Sequence, residues 1–178
     1  ATSIEYAVLT SPHKTAMLVE RISKERSTGM PCGDSKPLVV GIAGGSASGK
    51  TTLATRLTGA LGEARVETIH MDRYFRQVKP KTVAPFTLLL YDDYNQPASF
   101  DLARLVRDLD GLLISNDGPQ VVIIEGLLTL YDDEIRSRLD LAIYLDAQSD
   151  ERIVRRLRRN MGKGMRFEEI ADYFLDSV

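Results

Sequence analysis

The chain has 178 residues, a length that suits one domain with a buried core. Hydrophobic residues make up 43% and charged residues 27%, which excludes a disordered or collagen-like chain. The formal net charge of −2 argues against a protein that coats nucleic acid, since neutralising phosphates requires a basic excess. A single cysteine, Cys32, excludes an internal disulfide framework and favours a reducing, cytoplasmic setting.

Residues 1–36 differ in pattern from the rest and form a predicted N-terminal arm and linker. We predict a short strand at Ile4 to Thr10, a helix at Pro12 to Arg26, and a linker rich in turn formers at Ser27–Pro37. The arm carries no pattern of chemistry, which favours an appended element that covers a surface or mediates assembly. The sequence contains no recognisable signal peptide or membrane-spanning run, so we expect no membrane partner.

From Leu38 onward, strand-like and helix-like segments alternate. Apolar runs predict strands at Leu38–Ala43, Val66–Met71, Val121–Glu125 and Leu141–Leu145. Apolar residues at helical spacing predict helices at Lys50–Leu61, Phe100–Leu113, Ile135–Leu139, about 150–161 and Phe167–Leu175, with an irregular segment from Arg73 to Tyr94. Such alternation predicts an α/β fold with a central parallel sheet in a three-layer α/β/α arrangement.

A glycine-rich loop, GGSASGKT at 44–51, fits the pattern G-x-x-x-x-G-K-[ST]. It lies between a predicted strand and a predicted helix, the setting of a P-loop NTPase, in which backbone N–H groups cradle phosphates. Lys50 would reach the β- and γ-phosphates, and the Thr51 hydroxyl would bind Mg²⁺. The predicted ATP-binding residues are Gly44, Gly45, Ser46, Ala47, Ser48, Gly49, Lys50, Thr51 and Thr52. The alternative is a glycine turn that only joins a strand to a helix.

Switches, motors, transporters and kinases all carry such a loop. The sequence has no N-K-x-D stretch, which argues against an ordinary GTPase. It also has no L-S-G-G-Q stretch, which argues against a transporter ATPase. The loop therefore predicts binding of a nucleoside triphosphate, and other residues must identify the reaction.

Two carboxylates follow predicted strands, at the edge where parallel sheets bind their ligands. Glu125 closes the run VVIIE and stands where a Walker-B acid holds Mg²⁺ or its water. Asp72 directly follows VETIHM, and we assign it to the acceptor, whose hydroxyl proton it takes as the γ-phosphoryl group arrives. The alternatives are a helix or turn cap at Asp72 and a solvated strand end at Glu125.

A basic run follows the last predicted strand, in a helix that begins near Asp150. On that helix Arg152, Arg156 and Arg159 share one face by the i+4 and i+3 rule. Guanidinium groups suit phosphate and stabilise charge on a transferring group, so we predict an arginine-rich lid helix. The alternative is a solvated face whose charges pair with Asp150 and Glu151.

These segments together resemble the uridine kinase and phosphoribulokinase family of P-loop kinases. The likeness runs from about residue 38 to the end, over GIAGGSASGKTT, HMDRYFR, DYNQPASFDL, VVIIEGLLTLYDDEIRSRLDLAIYLDAQSDERIVRRLRRN and RFEEIADYFLDSV. It implies a P-loop kinase domain at 37–178, ATP as donor, Mg²⁺ as cofactor and a small-molecule alcohol as acceptor. It also makes Asp72 the catalytic base, and Arg156 and Arg159 lid arginines that contact phosphate and substrate.

The resemblance also implies residues that bind the acceptor. Phe75 stands where uridine kinases carry a substrate-binding Tyr, with Tyr74 adjacent, and Arg166 matches a further lid arginine. Asn95 opens an N-Q-P stretch where nucleoside-specific members have D-H-P, so an amide replaces the acid that would hold ribose hydroxyls.

The sequence differs from the family pattern at three further places. Between the predicted substrate helix and the Walker-B strand, Gly111–Gln120 is too short for the family's nucleobase-binding hairpin. Gly164 stands at one lid-arginine position. The sequence ends before the family's last strand and its adenine-side segment, so we expect this domain to lack its C-terminal strand.

We therefore hypothesise an ATP-dependent phosphotransferase whose acceptor is a nucleoside. A sugar phosphate or a pantothenate-like alcohol is the alternative acceptor. A second hypothesis, motivated by the altered acceptor region and the arm, is a nucleotide-binding regulatory protein without transfer activity. The arm and the family resemblance are both compatible with a homo-oligomer.

Overall fold

A computed structural model of the protein describes residues 4–11, 13–14, 16–18, 20, 22, 36–85 and 88–177. Its strands are β1 Glu5–Leu9, β2 Leu38–Gly44, β3 Val66–His70, β4 Lys81–Val83, β5 Leu90–Asp92, β6 Val121–Glu125 and β7 Leu141–Leu145. Five of them form a central sheet in the order β1-β7-β2-β6-β3, in which every neighbouring pair is parallel. The predicted α/β class with a central parallel sheet is confirmed.

The first three helices after the glycine-rich loop contribute side chains to the apolar layers on the sheet, and the last two pack against each other. These helices are α1 Lys50–Ala60, α2 Leu102–Leu113, α3 Asp133–Arg136, α4 Ser149–Met161 and α5 Phe167–Ser177. Side chains of Asp101 and Asp132 cap the first turns of α2 and α3, by accepting from Arg104 N at 3.1 Å and Ile135 N at 3.0 Å. Within the described residues, no helix is both long enough and apolar enough to cross a membrane.

Alternating strand residues build one apolar layer on each face of the sheet. One layer includes Val40, Ile42, Ile123, Ile143, Leu53 and Leu57, and the other includes Val39, Val122, Ile124, Leu105, Leu109 and Phe100. Because successive strand side chains point to opposite faces, Val39 and Val40 join different layers. Both faces are therefore covered, and the three-layer arrangement is confirmed.

The strand of the arm belongs to the central sheet. β1 lies beside β7 at the edge, with Glu5 opposite Leu141 and Leu9 opposite Leu145. In the predicted helix that follows, residues 13, 14, 16–18, 20 and 22 are helical, and the other positions and most of the predicted linker lie outside the described residues. Leu18 and Ile22 are buried in the layer that also holds α1. The strand is thus an integral part of the core, while the division into an arm and a kinase domain stays a prediction.

The segment predicted to be irregular contains regular structure. Met71–Tyr74 is a turn of 3₁₀ helix, so the strand before it ends one residue earlier than predicted, at His70. β4 and β5 then pair as an antiparallel hairpin. Strand alternation is too short over three residues each to be recognised in the sequence.

Candidate active site

The glycine-rich loop joins β2 to α1 and needs left-handed backbone at three positions. Gly44 has a φ of 150°, Ala47 of 63° and Gly49 of 104°. A Cβ at Gly44 would lie 2.7 Å from the carbonyl oxygen of Leu145, so a larger residue would force the strand ends apart. Glycine at both ends lets the loop turn tightly enough to point its N–H groups inward. These backbone angles allow the tight turn that an anion cradle requires.

An arginine of α4 lies directly on this loop. A Cβ at Gly45 would collide with the guanidinium group of Arg152, so glycine there makes room for the arginine. One turn along the helix, Arg155 Nη1 donates to the backbone oxygen of Ser48 at 3.4 Å and Nη2 donates to Glu151 at 2.9 Å. These contacts hold the arginine-rich helix against the loop.

Lys50 is the first residue of α1, and its side-chain ammonium lies against the loop. Its Nζ donates to the backbone oxygens of Gly44 at 2.9 Å and Gly45 at 3.0 Å. Burial lowers the pKa of the Lys50 ammonium, although the carboxylates of Glu125 and Asp72 act in the opposite direction. The ammonium is thus fixed between the loop and the two carboxylates predicted to serve the reaction.

Glu125 is buried, with 7% of its surface exposed, and its carboxylate meets two partners from neighbouring elements. Thr51 Oγ1 donates to Glu125 Oε1 at 3.1 Å, and His70 Nδ1 lies 2.8 Å from the same oxygen. His70 and Glu125 are register partners at the ends of β3 and β6, so the sheet itself brings them together. The alternative of a solvated strand end does not describe this residue.

The side-chain oxygens of Thr51 and Glu125 are suitable ligands for a Mg²⁺ ion that phosphate oxygens also bind. The described residues contain no group of three or more His, Cys, Asp or Glu that could hold a metal ion by themselves. Mg²⁺ prefers oxygen ligands, keeps several waters, and is commonly held by one or two protein oxygens together with substrate phosphates. A hydroxyl and a carboxylate in hydrogen-bond contact, beside a phosphate cradle, satisfy that requirement.

Asp72 lies in the 3₁₀ turn after β3 and lines the same cleft as Lys50 and Glu125. Desolvation in the cleft raises the pKa of the Asp72 carboxyl, and the charge of Glu125 adds to the rise. Lys50, Arg159 and His70 oppose it more weakly. A carboxyl with a raised pKa beside a phosphate cradle is suited to accept a proton during catalysis.

The cleft has a volume of about 940 Å³, which is enough for a nucleotide and a small acceptor together. Arg156 and Arg159 line it, and so does Arg155, whereas Arg152 does not. Arg166 does not line it, because its exposed side chain lies 3.6 Å from Glu169 on α5. The position of Arg166 therefore gives no support to its predicted contact with substrate.

Three aromatic residues that line the cleft form what we call the aromatic shelf: Phe75, Tyr94 and Phe100. Phe75 stacks on Phe100 with ring centroids 4.3 Å apart and meets Tyr94 edge-on at 5.2 Å. Asn95 also lines the cleft, and its contact with substrate stays a prediction.

Tyr74 does not contribute to the shelf. Its hydroxyl donates to Asp108 on α2 at 2.9 Å, outside the cleft. Partial burial, followed by that hydrogen bond, raises the pKa of Tyr74 to about 12. The position of Tyr74 contradicts its predicted role in binding substrate. Of the two adjacent aromatic residues, Phe75 is the one that lines the cleft.

Comparison with known proteins identifies the family. Residues 103–177 match the model of the Phosphoribulokinase / Uridine kinase family. A uridine kinase from Deinococcus deserti is 34% identical over 168 residues, which cover 82% of this chain and 80% of the relative. The chain belongs to the phosphoribulokinase/uridine kinase family. It is therefore an ATP-dependent phosphotransferase that acts on a hydroxyl group of a small molecule.

Solved structures share the fold of this family member at lower identity. A candidate fructose transport system kinase from Silicibacter sp. TM1040 is 18% identical, with a TM-score of 0.61 and coverage of 87% of both chains. A candidate uridine kinase from Bacillus stearothermophilus is 21% identical, with a TM-score of 0.55, and 91% and 92% of the two chains are covered. At these identities the likeness shows the fold alone.

Some residues of the kinase's cleft escaped the sequence analysis. His70 had no predicted role in the site, because its contact with Glu125 depends on strand register, which no local pattern reveals. Leu9, Thr10 and Ser11 line the cleft from the end of β1, although the arm had shown no pattern of chemistry. The available signal for these three was only that a short apolar run ends there in Thr-Ser.

Proposed function

We propose that this kinase transfers the γ-phosphoryl group of Mg–ATP to a hydroxyl of a nucleoside, with Asp72 as the general base. The observation that carries the proposal is the meeting of Asp72, Lys50 and Glu125 in one cleft, where their charges influence one another. Phosphoryl transfer requires a general base, a phosphate-binding ammonium and a metal-binding carboxylate, which these three residues would supply in that order: Asp72, Lys50 and Glu125.

On the donor side, the triphosphate binds to the N–H groups of the loop and to Lys50. Ser48 Oγ is buried and has no hydrogen-bond partner among the described residues, which is consistent with a ligand oxygen at the loop. Thr51 and Glu125 would hold Mg²⁺, which when bound neutralises charge on the β- and γ-phosphate oxygens. Arg156 and Arg159 stabilise the charge of the transferring group from the lid side.

On the acceptor side, Asp72 accepts the proton of the attacking hydroxyl. The oxygen of that hydroxyl forms a bond to the γ-phosphorus as the bond from that phosphorus to the bridging oxygen of ADP breaks. In the aromatic shelf, the ring of Phe75 lies on the buried Phe100 and offers an apolar surface that suits the planar base of a nucleoside. Asn95 offers an amide that donates to and accepts from sugar hydroxyls.

A coupled assay of ADP release tests this proposal with a panel of nucleosides, sugar phosphates and pantothenate-like alcohols. We expect a nucleoside to stimulate turnover, and we expect Asp72→Asn to abolish that stimulation while ATP binding persists. Asp117→Asn, in an exposed loop after α2, is the matched control that keeps wild-type turnover.

Other outcomes would contradict specific parts of the proposal. Stimulation by a sugar phosphate or a pantothenate-like alcohol, and by no nucleoside, would overturn the acceptor class. Full nucleoside-stimulated turnover in Asp72→Asn would overturn the assignment of the base. ATP binding without stimulation by any acceptor would favour the regulatory alternative.

A further inference from the structure

The N-terminal strand brings a segment of chain to the nucleotide cleft. β1 runs parallel to β7, and Leu9 is opposite Leu145 at the carboxyl end of both strands. Asp146 N donates to Leu9 O at 3.0 Å, which joins the turn after β1 to the turn after β7. Leu9, Thr10 and Ser11 consequently line the cleft together with the glycine-rich loop.

The order of the strands gives the cleft two distinct ends. The glycine-rich loop follows β2 in the middle of the sheet, Asp72 follows β3 at one edge, and Thr10 follows β1 at the other. Neighbouring strands lie about 4.8 Å apart, so an elongated ligand centred on the loop spans the sheet toward both edges. Asp72 and the aromatic shelf occupy the β3 end, which is the end toward which the γ-phosphate must point.

The β1 end has the chemistry of a site for a base and a sugar. Leu9 and Leu145 supply apolar surface, and Arg56 and Arg155 line the same cleft with guanidinium groups, whose planes stack on aromatic rings. Thr10 is exposed, and its hydroxyl and backbone add polar groups that a base edge or a ribose hydroxyl could contact.

We propose that the turn at the end of β1, Thr10–Ser11, forms one wall of the site for the donor's nucleoside. The inference rests on the proposed function, because it takes the direction of ATP in the cleft from the role of Asp72. The arm would then help to bind a purine nucleoside triphosphate. Thr10 would contact the nucleoside of this donor and not its phosphates.

A single-tryptophan reporter tests the proposal, since the chain contains no tryptophan. T10W is titrated with ATP and with inorganic tripolyphosphate, both with Mg²⁺, and indole fluorescence is recorded. We expect ATP to change the emission of T10W and tripolyphosphate to leave it unchanged. Y131W, at a side chain that is 62% exposed and outside the cleft, is the control, whose emission neither ligand should change.

Calorimetry supplies a second measurement that does not depend on an indole. In Thr10→Tyr, the larger side chain should weaken ATP binding by about tenfold, or 1.4 kcal/mol, while tripolyphosphate binds as to the wild type. Thr82→Tyr, on the β4–β5 hairpin and outside the lining of the cleft, is the matched control and should bind both ligands normally.

The outcomes separate this inference from the function on which it rests. If the wild type binds neither ATP nor tripolyphosphate, the donor assignment fails and this inference fails with it. If the wild type binds both, but Thr10→Tyr leaves ATP affinity unchanged and T10W gives no response to ATP, this inference alone is wrong. An equal response of T10W to ATP and tripolyphosphate would also overturn it.

Discussion

The glycine-rich loop after β2 and the aromatic shelf after β3 line the same cleft, but they present different parts of the chain to it. The loop presents backbone N–H groups, and its glycines at 44 and 49 are required by positive φ angles. The shelf presents side chains, whose stacking depends on residues 75, 94 and 100 meeting from separate segments. Backbone recognition suits a donor shared by many enzymes, whereas side-chain recognition allows the acceptor to vary.

Removing the acid between the two regions should have the largest effect. Asp72→Asn keeps the size of the side chain but removes the proton acceptor, so we expect kcat to fall by about 10²–10⁴-fold. ATP affinity, measured by calorimetry, should stay within a factor of about three. A matching loss of ATP binding would mean that Asp72 serves the donor and not the acceptor.

Lys50→Met tests the loop itself. The loss of an ammonium that stabilises charge in the transition state should lower kcat by about 10²–10³-fold. Because the loop binds the donor, the fold-loss should be the same for every acceptor that turns over. A loss that depends on the acceptor would contradict the separation of the two regions.

Phe75→Ala tests the shelf. Loss of a ring that stacks on Phe100 should raise KM for the acceptor by about tenfold, which corresponds to roughly 1.4 kcal/mol, with little change in KM for ATP. Steady-state kinetics with each substrate varied in turn measure both constants. If KM for ATP rises instead, the shelf faces the donor.

Tyr74→Phe is the matched control for the shelf, because Tyr74 adjoins Phe75 but bonds Asp108 outside the cleft. We expect KM and kcat to change by less than about twofold, and the free energy of unfolding to fall by about 1 kcal/mol for the lost hydrogen bond. Urea unfolding measures the stability. A large rise in acceptor KM would restore Tyr74 to the acceptor site.

The smallest effect concerns pH and stability. The pKa of Asp72 is higher in the folded protein than in the unfolded chain. Folding therefore favours the protonated carboxyl, and the free energy of unfolding is highest at low pH, where both states are protonated. It falls as the pH rises through the folded-state pKa, because the ionised carboxylate is desolvated in the cleft. Asp72→Asn should therefore increase Tm slightly at neutral pH, and the difference from the wild type should vanish near pH 3. A Tm decrease at neutral pH would indicate that attraction to Lys50 and Arg159 outweighs desolvation.

The sequence was most informative where one short segment contains the whole feature. The loop, Lys50 and Thr51 lie within one motif, Glu125 ends a predicted strand and Asp72 directly follows another. Parallel strands place such residues along one edge of the sheet, which is why the sequence alone predicts that they share a site.

Features that depend on local rotation or on distant pairing escaped prediction. In a 3₁₀ turn, consecutive side chains point about 120° apart. Which of Tyr74 and Phe75 faces the cleft therefore depends on the turn at Met71–Tyr74, which the sequence pattern did not predict. The place of β1 in the sheet depends on pairing with β7, near the other end of the chain. His70 was missed for the same reason, since register across β3 and β6 creates its contact.

The pairing of β1 with β7 has a consequence for synthesis. The ribosome makes β1 well before β7, because residues 10–140 lie between the two strands. Until then the backbone of β1 has no neighbour in the sheet, and closing so long a loop is slow. The nascent protein should therefore add β1 to the sheet only after β7 has emerged.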